Sequence, residues 1–286
     1  MAQPLMCQDC NPEARKRKRF LCDGVDTSDG LPVRCVHSQS FLKLEVLDYY
    51  LKIFSVAMKS HHKELNFIDL FSGPGLCINR ENGEERLGSS LIALTLKNPF
   101  TNYIFVDADS KTSDILHKRC ERLAPELIER INILNVDANQ DVARILKHVN
   151  GAKSLSVAFL DPNGLDIHYN TLKLLSQFPK LDVIINFGVS DLKRNLANYS
   201  SGKHEKANQF FGCETWPDRD LEWLPFYMDR LKALGFTAVE DDLEQKVKVK
   251  TKTKADIYYL IFASKHSLGL KFWREAKHKN LELGLL

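Results

Sequence analysis

No stretch of this 286-residue chain approaches the ~18 consecutive apolar residues of a membrane-spanning helix, so none is expected. The first residues, MAQPLMCQDCNPEARKRKRF, lack the apolar centre of a secretion signal, and the expected location is the cytoplasm. No charge sign dominates. The 40 basic and 37 acidic residues leave a formal +3, too balanced to require nucleic acid and too mild to exclude it. No internal repeat is visible. With 44% hydrophobic and 27% charged residues, wholesale disorder, collagen and coiled coil are excluded. The odd total of seven cysteines argues against a disulfide framework. Beyond residue 35 cysteine is sparse, and Cys77, Cys120 and Cys213 read as ordinary thiols of a reducing compartment. The length suits one large domain with appendages.

Residues 1–40 differ from the rest. They hold Cys7, Cys10, Cys22 and Cys35, the basic run Arg15–Arg19, and no sustained helical or strand period. They read as a Cys-rich, basic N-terminal arm, followed by one domain over 41–286. That domain opens on an amphipathic helix, with Phe41, Leu44, Leu47, Leu51, Phe54 and Met58 spaced by three and four. Short apolar runs follow at 66–71, 103–106, 131–136, 155–160 and 183–187, each reading as a strand buried on both faces. Helical stretches near 90–97, 111–123, 139–148 and 169–178 separate them. This alternation predicts a Rossmann-like, doubly wound, mostly parallel α/β sheet. Residues 203–235 read as a helical insertion. Residues 239–253, with alternate lysines from Lys246 to Lys254, and the apolar run 256–263 predict an antiparallel C-terminal hairpin.

The chemistry-bearing residues sit where strands end. Asp69-Leu-Phe-Ser-Gly73-Pro-Gly75 follows the first strand, where open parallel sheets bind ligands. Its glycines allow a tight turn and close approach of a ligand to backbone N–H groups. It lacks the third glycine of a dinucleotide fingerprint, and about a dozen polar residues (77–87) precede the next helix, which argues against a pyrophosphate there. Asp107 ends the second strand, placed to accept two hydrogen bonds from a ribose diol. Asp137 follows the third, placed to meet an adenine amino group. A lone Asp at a strand end is as readily a helix N-cap. Three acids after three successive strands point instead to an adenosine-bearing ligand without a pyrophosphate, and S-adenosylmethionine fits. After the fourth strand stands Asp161-Pro162-Asn163-Gly164. It is either a turn or a carboxylate facing the transferred methyl, with Asn163 adding one hydrogen bond. Amino-methylating enzymes carry a related Asp/Asn-Pro-Pro-aromatic element, and the second proline and the aromatic are missing here.

Several segments resemble the three-Cys-motif partner proteins (TcmP), which look like class I S-adenosylmethionine-dependent methyltransferases. They are Asp29-Gly-Leu-Pro-Val-Arg34, Phe67–Gly75, Gly88–Leu94, Phe159–Pro162, Ile184–Phe187 and Tyr258–His266. The resemblance implies a seven-stranded methyltransferase sheet and S-adenosylmethionine as cofactor. It also implies pairing with a radical-enzyme-like protein that carries a three-cysteine motif. Phe71 stands where the usual methyltransferase loop has glycine, within the cofactor loop. The Pro-Cys nucleophile of cytosine-5 methyltransferases is missing, since Asp161-Pro162 occupies its place, so covalent attack by a thiolate is not expected. Transfer to nitrogen or oxygen needs mainly in-line positioning.

Cys7-x2-Cys10 is a good zinc half-site, but Cys22 and Cys35 are spread too far for a zinc ribbon, so structural zinc and ordinary thiols both remain open. The basic run and the lysine face can contact phosphates, and lysines on an edge strand also prevent sheet aggregation. Arg194, after the fifth strand, can clamp a substrate or cap a helix. Two functions compete: a methyltransferase acting on nucleic acid or protein, and a non-catalytic scaffold of methyltransferase-like fold.

Overall fold

The computed structural model describes residues 21–149, 154–200, 205–239, 247–250 and 256–282. The parallel strands are β3 (Leu65–Asp69), β6 (Asn102–Val106), β7 (Ile131–Leu134), β8 (Leu155–Leu160) and β9 (Leu181–Phe187). The last of the large sheet are β10 (Ala238–Val239), β11 (Val247–Lys250) and β12 (Asp256–Ser264). The order is β10-β12-β9-β8-β3-β6-β7, with β11 also pairing β12. β12 runs antiparallel to β9, β10 and β11. This is a Rossmann-like, doubly wound, mostly parallel sheet with an antiparallel C-terminal hairpin.

The side chains alternate between two cores, as strands buried on both faces must. Ile68, Ile104, Ala158, Val183 and Ile185 face one cluster. Phe67, Tyr103, Phe105, Val157, Phe159 and Ile184 face the other. The second cluster is closed by α1 (Gln39–Met58), α2 (Ser89–Leu94), α3 (Ser110–Leu123) and the C-terminal helix Ser267–Glu282. On the first face lie α5 (Tyr169–Leu175), preceded by the short α4 (Val142–Ile145), then α6 (Val189–Ser200). The expected helical stretch 203–235 forms two helices on the same face, α7 (Glu205–Phe211) and α8 (Asp220–Ala233), packed through Phe210, Trp223 and Tyr227. The final helix is α9 (Ser267–Glu282). Strand β7 departs from the expected full burial: at the sheet edge all four of its residues are half-exposed.

Two segments without a readable period build a second sheet. β1 (Leu21–Cys22), β2 (Val33–Val36), β4 (Leu76–Asn79) and β5 (Glu85–Leu87) pair in the order β1-β2-β4-β5. Strands of two to four residues are too short to print an alternation. β2 pairs parallel with β4, so Arg34 lies opposite Cys77, directly after the glycine loop. Arg119 of α3 fastens this layer. Its guanidinium donates to both Asp29 carboxylate oxygens (2.6 and 3.0 Å) and to the carbonyls of Leu31, Pro32 and Pro74. Residues 29–32 and the glycine loop are thereby tied to one buried cation. Burial alone would push the Asp29 carboxyl up, but hydrogen bonds from Arg119 and Leu31 outweigh it and hold the group below its usual range.

Among the described residues no group of three or more His, Cys, Asp or Glu is placed to hold a metal ion. Cys22 and Cys35 lie in a small apolar cluster with Val33, Leu76 and Ile78. Cys7 and Cys10, like Arg15–Arg19, lie outside the described residues. Among those residues, no helix is long and apolar enough to cross a membrane.

Candidate active site

The chain passes from β3 outward through β6 to β7, then returns to β8 on the other side of β3. The loops after β3 and β8 therefore diverge, and a crevice opens at this switch point. Two clefts lie there. The larger, about 720 Å³, is lined by Leu70, Asp107, Val136, Asp137, Asn139 and His168, among others. The smaller, about 360 Å³, is lined by residues including the glycine loop, Lys43, Arg80 and Arg194. Arg34, Phe71, Asp161 and Asn163 line both and form a common wall.

The glycine loop is shaped by packing as well as by φ. Gly75 has φ +87°, and a Cβ there would stand 2.9 Å from Leu116 and 3.0 Å from Leu91. Only glycine lets the loop lie this close to α2 and α3. The Asp161–Gly164 loop has the same requirement. Gly164 has φ +64°, and a Cβ would meet the Asp191 carboxylate at 2.6 Å. That clash gives the glycine after Asn163 a packing reason.

Of the three acids in series, two reach the larger cleft. Asp107 accepts from the backbone N–H groups of Gly73 (3.2 Å) and Asp109 (2.9 Å). The N-cap of α3 is Asp109, whose side chain accepts from Thr112 N–H, so Asp107 is not spent on capping. Burial keeps its carboxyl above the usual range, against those N–H groups and the nearby Arg34. Asp137 accepts from the N–H groups of Asn139 and Gln140, both on Oδ1, and lines the cleft beside them. Asp69 lies elsewhere. It is fully buried beneath the loop, where Ser89 Oγ (2.5 Å) and Phe71 N–H (3.2 Å) donate to it. It lines neither cleft, and its part is to brace the loop from below.

Burial raises the Asp69 carboxyl to about 7, opposed by the Ser89 and Phe71 hydrogen bonds and reinforced by the charges of Asp161 and Asp107. The native state thus keeps a proton that the unfolded chain releases near pH 4. The contribution of Asp69 to stability then falls as pH rises from about 4 to about 7, by a few kcal/mol. Asp69→Asn, which mimics the protonated form, should gain on wild type in denaturant midpoint between pH 5 and pH 8. Parallel midpoints at the two pH values would show a carboxylate ionised throughout.

Asp161 is not a capping residue. Lys43 of α1 donates to both its oxygens (2.7 and 2.6 Å), and Asn186 of β9 donates to Oδ1 (2.7 Å). Both members of the ion pair are largely buried. Asn163 accepts from the Arg34 guanidinium. Arg34 also stands over the loop, with Nη1 3.7 Å from where a Gly73 Cβ would be. The buried Asn186 Oδ1 has no hydrogen-bond partner among the described residues. A buried acceptor in that state is uncommon. Lys43, Arg34 and Asn186 were not singled out from the sequence as site residues. Arg34 and Asn186 did stand in segments that carry the family resemblance, whereas Lys43 left no local signal, lying 118 positions from its partner.

The residues fit S-adenosylmethionine. The larger cleft sets two strand-end carboxylates beside apolar Leu70, Phe71 and Val136, and a guanidinium stands over the glycine loop.

No family model matches the sequence, and no curated protein matches it. Solved structures do resemble the fold. Protein LPL1258 from Legionella pneumophila aligns at 9% identity with a TM-score of 0.52, over 85% of this chain and 93% of that one. An O-methyltransferase from Bacillus cereus, in complex with SAH, aligns at 12% identity and TM-score 0.45 over 88% of each chain. The DszA carbon methyltransferase aligns at 13% identity and TM-score 0.46, over 84% of this chain and 55% of that one. At such identities the likeness is one of fold.

Proposed function

We propose that this chain is an S-adenosylmethionine-dependent methyltransferase of the three-Cys-motif partner type, acting on a nitrogen or oxygen of a nucleic-acid or protein acceptor. The observation that carries this reading is the common wall. Asp161 stands between a cleft with two ribose- and adenine-ready carboxylates and a second cleft open to an acceptor. When bound, the cofactor supplies an electrophilic methyl on a sulfonium. Asp107 receives the ribose hydroxyls, and Asp137 the adenine edge. Arg34, above Gly73, pairs with the methionine carboxylate. Phe71, in the place of the usual loop glycine, forms apolar wall on both sides. Lys43 and Asn186 fix the Asp161 carboxylate, which accepts a hydrogen bond from the acceptor N–H or O–H. Asp161 would take up the proton that the acceptor N–H or O–H gives up on methylation.

Calorimetry with S-adenosylmethionine tests the cofactor half of this reading. Wild-type protein is expected to bind in the micromolar range, and Asp107→Ala to weaken binding by roughly 1.5–3 kcal/mol through loss of a charge-assisted pair of hydrogen bonds. No binding heat from wild type at high ligand concentration sinks the proposal. A second reading, a scaffold for the three-Cys-motif partner without turnover, has one observation in its favour: Asp161 and Asn163 are already engaged by Lys43, Asn186 and Arg34.

A further inference from the structure

The two clefts differ in charge. The larger is bordered by five carboxylates, those of Asp107, Asp137, Asp161, Asp166 and Glu205, against two cations, Arg34 and Lys206, the latter paired with Asp166. Among the described residues the smaller has Asp161 as its one carboxylate, and that one is matched by Lys43. Around it stand Arg34, Arg80, Arg194 and His37. Arg80 Nε is buried without a hydrogen-bond partner among the described residues. Arg194, reached from α6, has a side chain 72% exposed, with a 3.7 Å contact to Asp191. A cationic cleft attracts an anionic occupant, and an arginine fork suits phosphate oxygens. Between the cations the walls are apolar: Leu44, Phe71, Pro74, Pro162 and Ile257. Apolar walls with one aromatic ring, Phe71, suit a base, and Asp161 in the same cleft can accept from an exocyclic amine.

We propose that the smaller cleft admits one nucleotide of a single-stranded nucleic acid, its base entering toward Asp161 and its phosphates held by Arg80 and Arg194. The inference rests on the methyltransferase reading for the direction of transfer, but not for binding. A base stacked within a duplex is out of reach of Asp161, so a duplex must present an extruded base. Two sequence tracts carry further cations. Arg15–Arg19 directly precedes β1, and the alternate lysines 246–254 bracket β11 and precede Ile257. Such runs of cations suit a chain of phosphates better than the scattered carboxylates of a peptide.

Fluorescence anisotropy with the full-length protein and labelled oligomers of about 12 nucleotides tests this, using single-stranded RNA, single-stranded DNA, the matching blunt duplex and an oligoglutamate. At least one single strand is expected to bind more tightly than duplex or oligoglutamate, and the RNA and DNA arms decide the sugar. Affinity should fall steeply between about 50 and 200 mM salt. Arg194→Gln, at an exposed site, should lower the salt slope by about 1, and Arg80→Gln with Arg194→Gln should weaken binding at least ~10-fold. Binding of S-adenosylhomocysteine should stay within a few-fold of wild type in both variants, which shows that they are folded. Failure of wild type to bind either single strand, equal binding of duplex or oligoglutamate, or undiminished binding by the folded double variant overturns the acceptor assignment. Such a result leaves the cofactor reading standing, because S-adenosylhomocysteine binding is measured apart.

Discussion

Replacing Arg119 with alanine should cost about 3–5 kcal/mol of stability, the usual penalty when one partner of a buried ion pair is removed. Its side chain is 2% exposed, and it bonds Asp29 and the carbonyls of Leu31, Pro32 and Pro74. Without it the Asp29 carboxylate loses its ion-pair partner and keeps only the Leu31 N–H and Thr27 hydroxyl bonds among the described residues, while each of the three carbonyls loses a charged donor. The glycine loop is braced by Pro74, and β2 carries Arg34 to the clefts, so cofactor affinity should fall along with stability. Arg119→Lys keeps the charge but not the planar fork and should restore only part of either. Thermal unfolding and S-adenosylhomocysteine calorimetry read the two effects. An Arg119→Ala protein with wild-type midpoint and affinity would show that this cation does not hold the layer to the loop.

The other large effect is expected at Asp161. Asp161→Ala should reduce methyl transfer by ~10²-fold or more while S-adenosylhomocysteine affinity stays within a few-fold of wild type. Its removal also strands the largely buried Lys43, so Asp161→Asn is the companion variant: it keeps the shape and the bond to Asn186 while removing the charge. Incorporation of labelled methyl into RNA, DNA and protein fractions measures turnover. Full transfer by Asp161→Asn refutes a role for the carboxylate in taking up the proton. Loss of cofactor affinity in both variants favours a structural role.

Local pattern was enough for much of this fold. The apolar runs at 66–71, 103–106, 155–160 and 183–187 appear as β3, β6, β8 and β9, because burial on both faces leaves a mark within each short segment. Asp107, Asp137 and Asp161 were legible for the same reason: in a parallel sheet, the residue after a strand is at the ligand-binding edge by topology alone. Local pattern failed where distant segments decide the outcome. Asp69 shares the strand-end position, yet it turns inward because Ser89, 20 residues on, supplies a hydroxyl beneath the loop. The small sheet was invisible because its strands are too brief to alternate, and β2 is held by pairing with β4 and by Arg119, which lies 90 positions from Asp29.

The sequence by itself determined the layer order, the crevice and which strand ends carry acids, since these follow from periodicity and chain direction. Only the tertiary structure decided the character of the two clefts: Lys43 on Asp161, Arg34 on Asn163, and acids gathered on one side of Phe71 with cations on the other. Such pairings join α1 to β8 and β2 to the following loop across more than a hundred residues, and no local period encodes a contact of that separation.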